Sequence, residues 1–264
     1  MAIRAGIGGW VYPEWRKGTF YPEALAQKRE LEWASRQVGV IEINGTYRRL
    51  QKPESFRTWR EQTPKGFVFT LKGSSYVTNR KVLAGAGDAL ARFFGQGLEE
   101  LGDRLGPIVW QFMGTKRFEA EDMAAFLALL PVEHKGVRLR HAVEVGHESF
   151  ACPQFVDLAR AAGAAIVWCE QEGRTPIADR TADFAYLRCK NLVAEEPTGY
   201  PAEDIQRIAA LCRAWAAGEA PEGLAYAGDP AASRGKGGDV FALMINGAKE
   251  RAPAAAQALA RLVG

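Results

Sequence analysis

The sequence predicts a single-domain (β/α)8 barrel spanning residues 1–264. Short apolar runs alternate with helical stretches from one end of the chain to the other, the pattern of parallel strands joined by crossover helices. The 264 residues are close to the ~250 usual for eight such units. No linker-like break separates the units, which favours closure over an open doubly wound sheet, the other arrangement the alternation fits.

In chain order, the run Ile3 to Ile7 is the first strand, ended by Gly8-Gly9, and the helical stretch Leu25 to Gln37 follows it. Val40 to Ile43 is the second strand, and Pro53 to Gln62 a helix whose first turn tolerates its proline. Phe67 to Leu71 and Ile108 to Phe112 are the third and fourth strands, with Asp88 to Leu101 between them and Ala120 to Leu130 after. Ala142 to Val145, Pro153 to Ala162 and Ala165 to Cys169 give the fifth strand, a proline-led helix and the sixth strand. Phe184 to Arg188, Ala202 to Trp215, Val240 to Ile245 and Pro253 to Leu262 complete the series. A Gly/Ala-rich surface loop at about 216–239 precedes the last strand. Its Gly-Lys-Gly is no phosphate loop, because Gly237 stands where that motif needs Ser or Thr.

Composition bounds the rest. With 47% hydrophobic and 25% charged residues the chain is of ordinary soluble globular type, and a net charge of +3 is far from the dense basic face of a dedicated nucleic-acid binder. Cys152, Cys169, Cys189 and Cys212 are widely spaced with no CxxC, so reduced thiols in a cytoplasmic protein are expected. The N-terminus has no signal-peptide pattern and no run reaches the ~20 apolar residues of a membrane span, so no membrane partner is expected.

In such a barrel the chemistry sits at the C-terminal strand ends. Polar residues gather there: Glu42 and Asn44, Lys72, Gln111, Glu144 with His147 beyond it, Glu170, Arg188 and Asn246. Glu42, inside the apolar run Val40 to Ile43, is costly to bury unless it is paired. Side chains two apart share a strand face, so Glu42 and Asn44, Ala142 and Glu144, and Tyr186, Arg188 and Lys190 face inward, while Ile41, Ile43, Val143 and Val145 face the helices. An ion-pair layer filling the lumen gives the same sequence pattern as a catalytic pair. His134 and His141 bracket the start of the fifth strand, at the opposite end, and read as surface residues. With one well-placed histidine no His-rich metal cluster is expected, and an oxygen-ligated Mg²⁺ or Mn²⁺ on Glu42, Glu144 and Glu170 stays open without being favoured. There is no G-x-S-x-G elbow and no dinucleotide fingerprint. Trp10, Tyr12, Trp15, Phe20 and Tyr21, then Tyr47, Arg48 and Arg49, then Tyr76, Asn79, Arg80 and Lys81 mix aromatic and basic side chains. That mixture suits a base or sugar with a phosphate, or a seal of the barrel top.

The segments "GIGGWVYPEWRKGTFYPE", "VIEINGTYRRLQKPESFRTWREQTPKGFVFTLKG", "YVTNRKVL", "LGPIVWQF", "AVEVGHESF" and "TADFAYLR" resemble successive blocks of the YecE-like family, domain of unknown function 72. The resemblance implies a TIM-like barrel of bacterial and archaeal cytoplasmic proteins without an assigned activity. It carries Gly9, Trp10, Tyr12, Trp15, Phe20, Tyr21, Pro22, Glu42, Asn44, Tyr47, Arg48, Lys72, Gln111, Glu144, His147 and Arg188 onto the family pattern. Departures from the family pattern fall at Asn79 and Lys190-Asn191, where it has a histidine, at Gly146 for an arginine, Phe150 for a tryptophan and Glu170 for an aspartate. Past the eighth strand it tends toward Asn-Asn and a later His-Ala-Pro, and this chain has Asn246-Gly247 and Arg251-Ala252-Pro253. A His-based or metal-based mechanism is weakened accordingly.

The expectation is an enzyme acting on a phosphorylated or carbohydrate-like small molecule, or a nucleotide fragment. Glu42, Glu144 and His147 are its catalytic candidates, and Trp10, Tyr12, Asn44, Tyr47, Arg48, Lys72, Gln111, Glu170, Arg188 and Asn246 its ligand-binding ones. The cofactor and oligomeric state are left unassigned. The alternative is a non-catalytic barrel binding nucleic acid through the aromatic and basic loops.

Overall fold

In the computed structural model, which describes residues 1–174 and 176–264, eight strand runs lie parallel around a common lumen. They are β1 (Ile3–Gly8), β2 (Val40–Ile43), β3 (Val68–Lys72), β4 (Leu105–Gln111), β5 (His141–Glu144), β6 in two pieces (Ala165–Ile166 and Trp168–Glu170), β7 (Phe184–Cys189) and β8 (Asp239–Met244). Each matches one of the eight apolar runs to within a few residues.

The ring closes through β6. Its first piece pairs only with β5, through Ala142↔Ala165 and Val143↔Ile166, and its second only with β7, through Leu187↔Trp168, Arg188↔Cys169 and Cys189↔Glu170. Between the pieces, the Val167 amide still donates to the Val143 carbonyl at 2.9–3.0 Å length typical of a ladder bond, here 3.0 Å. Past that point β5 and β6 diverge.

The helices are α1 (Glu30–Ala34), α2 (Gly45–Arg48), α3 (Pro53–Gln62), α4 (Ser75–Thr78), α5 (Gly87–Phe94), α6 (Ala120–Ala128), α7 (Pro153–Ala161), α8 (Ala202–Ala217) and α9 (Ala252–Val263). Where the sequence suggests one helix from Asp88 to Leu101, the chain instead ends α5 at Phe94 and re-enters as a 3₁₀ turn, Leu98–Arg104. Gly97, at φ 96°, breaks the helix between them. Two short strands, Glu133–His134 and Val137–Arg138, form a hairpin below β5 that periodicity alone does not reveal.

Alternation along the strands makes two cores. Outward residues such as Ile7, Ile41, Phe69, Leu71, Val143 and Leu187 meet Phe56, Phe93, Phe126, Phe155, Ile208 and Leu259 from the helices. Inward residues, including Val40, Val68, Val109, Val167, Phe184 and Phe241, plug the lumen. At the N-terminal end Arg140 lies over the rings of Phe184 and Phe241 and pairs with Asp239. Polar groups thus occupy both ends of the lumen, with an apolar plug between.

His141 is not the surface residue expected from its position at a strand start. It is buried, accepting at Nδ1 from Trp110 Nε1 (3.2 Å) and donating from Nε2 to the Pro131 carbonyl (2.8 Å). The cause is its outward face on β5, where the ring fills space beside Phe94 and Trp110. Burial lowers its pKa from 6.5 to about 4. The Gly/Ala-rich connection runs over the surface, with the Asp179 carboxylate accepting from the Ala227 and Gly228 amides and Arg180 donating to the Ser233 and Lys236 carbonyls.

Candidate functional site

Inward alternation brings Glu42, Glu144, Tyr186 and Arg188 together at the C-terminal end of the lumen, all of them buried. Arg188 spans the two carboxylates: one guanidinium nitrogen donates to Glu42 (2.7 Å) and the other to Glu144. Tyr186 donates to the second Glu42 oxygen at 2.9 Å and lies equally close to Thr70 Oγ1. Glu144 also accepts from Gln111 (2.8 Å) and Lys190 (2.5 Å), and Cys169 Sγ lies 3.7 Å from it. Glu42 is therefore tolerated in its apolar run because it is paired.

Burial alone would raise the Glu144 pKa, but the charges of Arg188 and Lys190 outweigh it and hold the carboxyl at about 2. Glu144 is ionised at any physiological pH. Burial likewise opposes the charge of Arg188, and Glu144 and Glu42 overcome it, so the guanidinium is held even more firmly protonated than usual.

Acid stability follows with a definite sign. A group whose folded pKa lies below its unfolded value adds stability that is complete above the unfolded value and lost as pH falls through the folded one. His141 therefore loses its contribution between pH 6.5 and about 4, and Glu144 between 4.5 and about 2. Each contributes a slope of up to about 1.4 kcal/mol per pH unit. Urea unfolding from pH 7 to 2 is expected to show both windows in the wild type. In Glu144→Gln the loss below pH 4.5 should shrink while the upper window remains, the rest of the lower one coming from other carboxylates with lowered pKa such as Asp122 and Asp239, and an unchanged profile in that variant would overturn the assignment.

Lys72 ends β3 beside this cluster. The Thr46 hydroxyl, shared between the Ile43 and Lys72 carbonyls, ties α2 to β3. The Lys72 ammonium lies 4.3 Å from the centre of the Tyr47 ring, whose hydroxyl donates to Asn79 (3.3 Å). Among the described residues Lys72 is in no ion pair. Burial first, and then the Arg188 charge, lower its pKa.

Lys249 was missed by sequence reading because it lies in the irregular segment after β8, where no periodicity marks it. Its ammonium donates to the Gly8 and Ile245 carbonyls (3.0 and 3.2 Å) and lies over Tyr12 and Trp15. Burial lowers its pKa to about 8. Burial first, and then the Glu42 charge, raise the Tyr12 pKa. Tyr12, Asn44, Tyr47, Lys72, Gln111 and Arg188 are thus close to the two carboxylates or to the lysines beside them.

Other candidates are placed elsewhere. Glu170 belongs to the outward face of β6, where it pairs with Arg207 of α8 (2.5 Å); Cys169 is the inward residue. Glu42, Glu144 and Glu170 therefore do not converge. Among the described residues no group of three or more His, Cys, Asp or Glu side chains is arranged to hold a metal ion. Trp10 turns outward against Trp59 and Phe69. Arg48 and Asn246 are exposed, and among the described residues neither side chain makes a hydrogen bond or ion pair with the cluster. His147 caps a 3₁₀ turn, its Nδ1 accepting from the Ser149 amide (3.1 Å), which puts the neutral ring's proton on Nε2. His147 lines a cavity of about 350 Å³ that opens where β5 and β6 part, with Val167 and Cys169 on its inner side.

Solved structures with this architecture include a DUF72 family protein from Thermotoga maritima, with a TM-score of 0.72, 20% identity, and coverage of 98% of this chain and 97% of that one. A D-psicose 3-epimerase crystallised in the presence of D-fructose aligns over 100% of both chains with a TM-score of 0.54 and 13% identity, a likeness of fold alone. No helix of the described residues is long and apolar enough to cross a membrane. Among curated proteins, UPF0759 protein YecE of Escherichia coli strain K12 is 31% identical over 144 residues, 53% of this chain and 48% of its own length. The chain thus spans about half the length of the curated relatives it matches. The model of the family described as protein of unknown function DUF72 matches residues 4–264, and the chain belongs to that family.

Proposed function

We infer that the strand-end mouth takes a small anionic molecule, phosphate-bearing and sugar-like in size, and that the protein acts on it as an enzyme. One observation carries this reading. Glu42 and Glu144 are already committed to Arg188, Lys190 and Tyr186, while Lys72 beside them has no carboxylate partner among the described residues. Arg188, Lys190, Lys72 and Lys249 against Glu42 and Glu144 leave the mouth cationic, and an anion would balance it.

The roles divide by environment. Glu144, held at about 2 and receiving hydrogen bonds from Arg188, Lys190 and Gln111, acts as an electrostatic anchor and not as a proton donor. Lys72 has both a lowered pKa and free hydrogen-bonding capacity, which suits contact with the substrate and proton transfer at the mouth. Gln111 and Asn44 orient the ligand, and His147 Nε2 is the proton-bearing group on the cavity side. A barrel of the same architecture serves the D-psicose 3-epimerase, which is compatible with a sugar-like substrate and says nothing of the site.

Thermal unfolding with a panel of sugar phosphates tests this. A bound phosphate ester at about a hundred times its Kd is expected to raise the wild-type Tm by about 5–10 °C, and Lys72→Met to remove that rise. Equal shifts in both proteins, or none from any anion, would sink the reading.

A second reading, a nucleic-acid-binding barrel, is favoured by a basic rim. Arg49, Arg80 and Arg92 line a cavity of about 240 Å³ beside the exposed ring of Tyr76. Arg80 also borders a neighbouring hollow with Lys81, Lys116 and Arg117. Affinity for a single-stranded oligonucleotide that falls steeply with salt and is lost in Arg80→Gln/Arg92→Gln would support it; salt-independent or absent binding would exclude it.

A further inference from the structure

The cavity between β5 and β6 adjoins the mouth through Cys169, whose thiol faces Glu144. Its outer side carries Arg174, an exposed residue of the loop after β6, whose guanidinium packs over backbone. It lies against two glycines from neighbouring loops, Gly114 after β4 and Gly146 after β5. A Cβ at Gly114 would stand 2.6 Å from Nη2, and one at Gly146 would stand 2.9 Å from Cζ and closer still to Nη1. Neither glycine has a positive φ, so what the two positions supply is room for the guanidinium and not an unusual backbone.

The seated arginine has no acidic partner. Among the described residues no ion pair includes Arg174 and no hydrogen bond from its side chain is made. Glu148 is the acidic residue lining the cavity; it is exposed, and it forms no ion pair with Arg174. His147, on the same wall, accepts the Ser149 amide at Nδ1 and so offers an N–H at Nε2. An arginine in a glycine cradle and an imidazole N–H, bordering an open cavity, make a donor set for a phosphate or carboxylate.

We propose that this cavity is a second anion subsite, in which Arg174 and His147 hold one end of a substrate whose other anionic end rests on Lys72 and Lys190. The proposal rests on the reading of the mouth as an anion site and narrows the substrate class to small molecules with two anionic groups, such as sugar bisphosphates. Arg174 is a binding residue here; no bond is made or broken at it.

Calorimetric titration at low salt with a hexose bisphosphate and its two monophosphates separates the two sites. The wild type is expected to bind the bisphosphate about tenfold or more tightly than either monophosphate. Arg174→Gln should remove that advantage while leaving monophosphate affinity unchanged. Gly146→Ala should do the same with the chain's charge intact, because its methyl group takes the space of the Arg174 guanidinium, with the Gly114 Cα 3.2 Å away on its other side. Lys72→Met should abolish monophosphate binding itself. If the monophosphate binds and Lys72→Met abolishes it, but the bisphosphate has no advantage or keeps it in Arg174→Gln, the second subsite is overturned and the mouth stands. If no phosphate compound binds, both fall.

Discussion

Arg188→Met is expected to lower stability by about 3–5 kcal/mol, the cost of leaving buried charges without their partner. For a chain of this size that is a fall in Tm of roughly 6–20 °C. Arg188 is 2% exposed, bridges two carboxylates that are 0% and 2% exposed, and is the direct ion-pair partner of Glu42 among the described residues. Even the native arrangement is not fully satisfied, since Arg188 Nε is buried without a hydrogen-bond partner. A polar core kept for stability alone would be replaceable, and so the triple variant Glu42→Gln/Glu144→Gln/Arg188→Met should recover most of the lost Tm while binding no anion. A single Arg188→Met that unfolds within 2 °C of wild type would show that the bridge contributes nothing.

Gly73→Ala is the second large effect. Gly73 directly follows Lys72, and a Cβ there would stand 2.6 Å from Cζ3 of Trp110 and nearer still to the adjoining ring carbon. That indole is fully buried and held by His141, so it has nowhere to move. The expected loss is about 3 kcal/mol, the upper end for overpacking a core, together with displacement of Lys72 and loss of phosphate binding. Trimming the obstacle should reverse it: Gly73→Ala/Trp110→Leu is expected to be more stable than the sum of the two single changes predicts, by about 1 kcal/mol or more in a double-mutant cycle. Strict additivity would mean the two positions do not compete for space.

Much of the barrel could be read from the chain because its two rules are local. Apolar runs separated by helical stretches mark the eight strands, and period-two alternation places Glu42, Glu144, Tyr186 and Arg188 inside. Where the sequence misled, the deciding contact was distant or the register shifted by one. Glu170 follows an apolar run and looks like a partner for Glu42 and Glu144, yet it sits one residue beyond the inward Cys169 and so faces Arg207. His141 lies at a strand start, where exposure is the ordinary expectation, but Trp110 and Pro131, far from it in sequence or in another element, enclose it. Arg174 and Lys249 come from loops, where no periodicity points a side chain anywhere. Their surroundings are set by glycines of neighbouring loops for Arg174 and by the Gly8 and Ile245 carbonyls for Lys249.

The interrupted sixth strand opens the barrel wall from the side. Because β6 leaves β5 after Val167, the wall of the mouth has a slot on one side, where the cavity lined by His147, Val167 and Cys169 lies. A slot formed by backbone that does not pair keeps its width when any single side chain is enlarged or trimmed. Selection could therefore exchange the residues lining this entrance, one at a time, without shutting it.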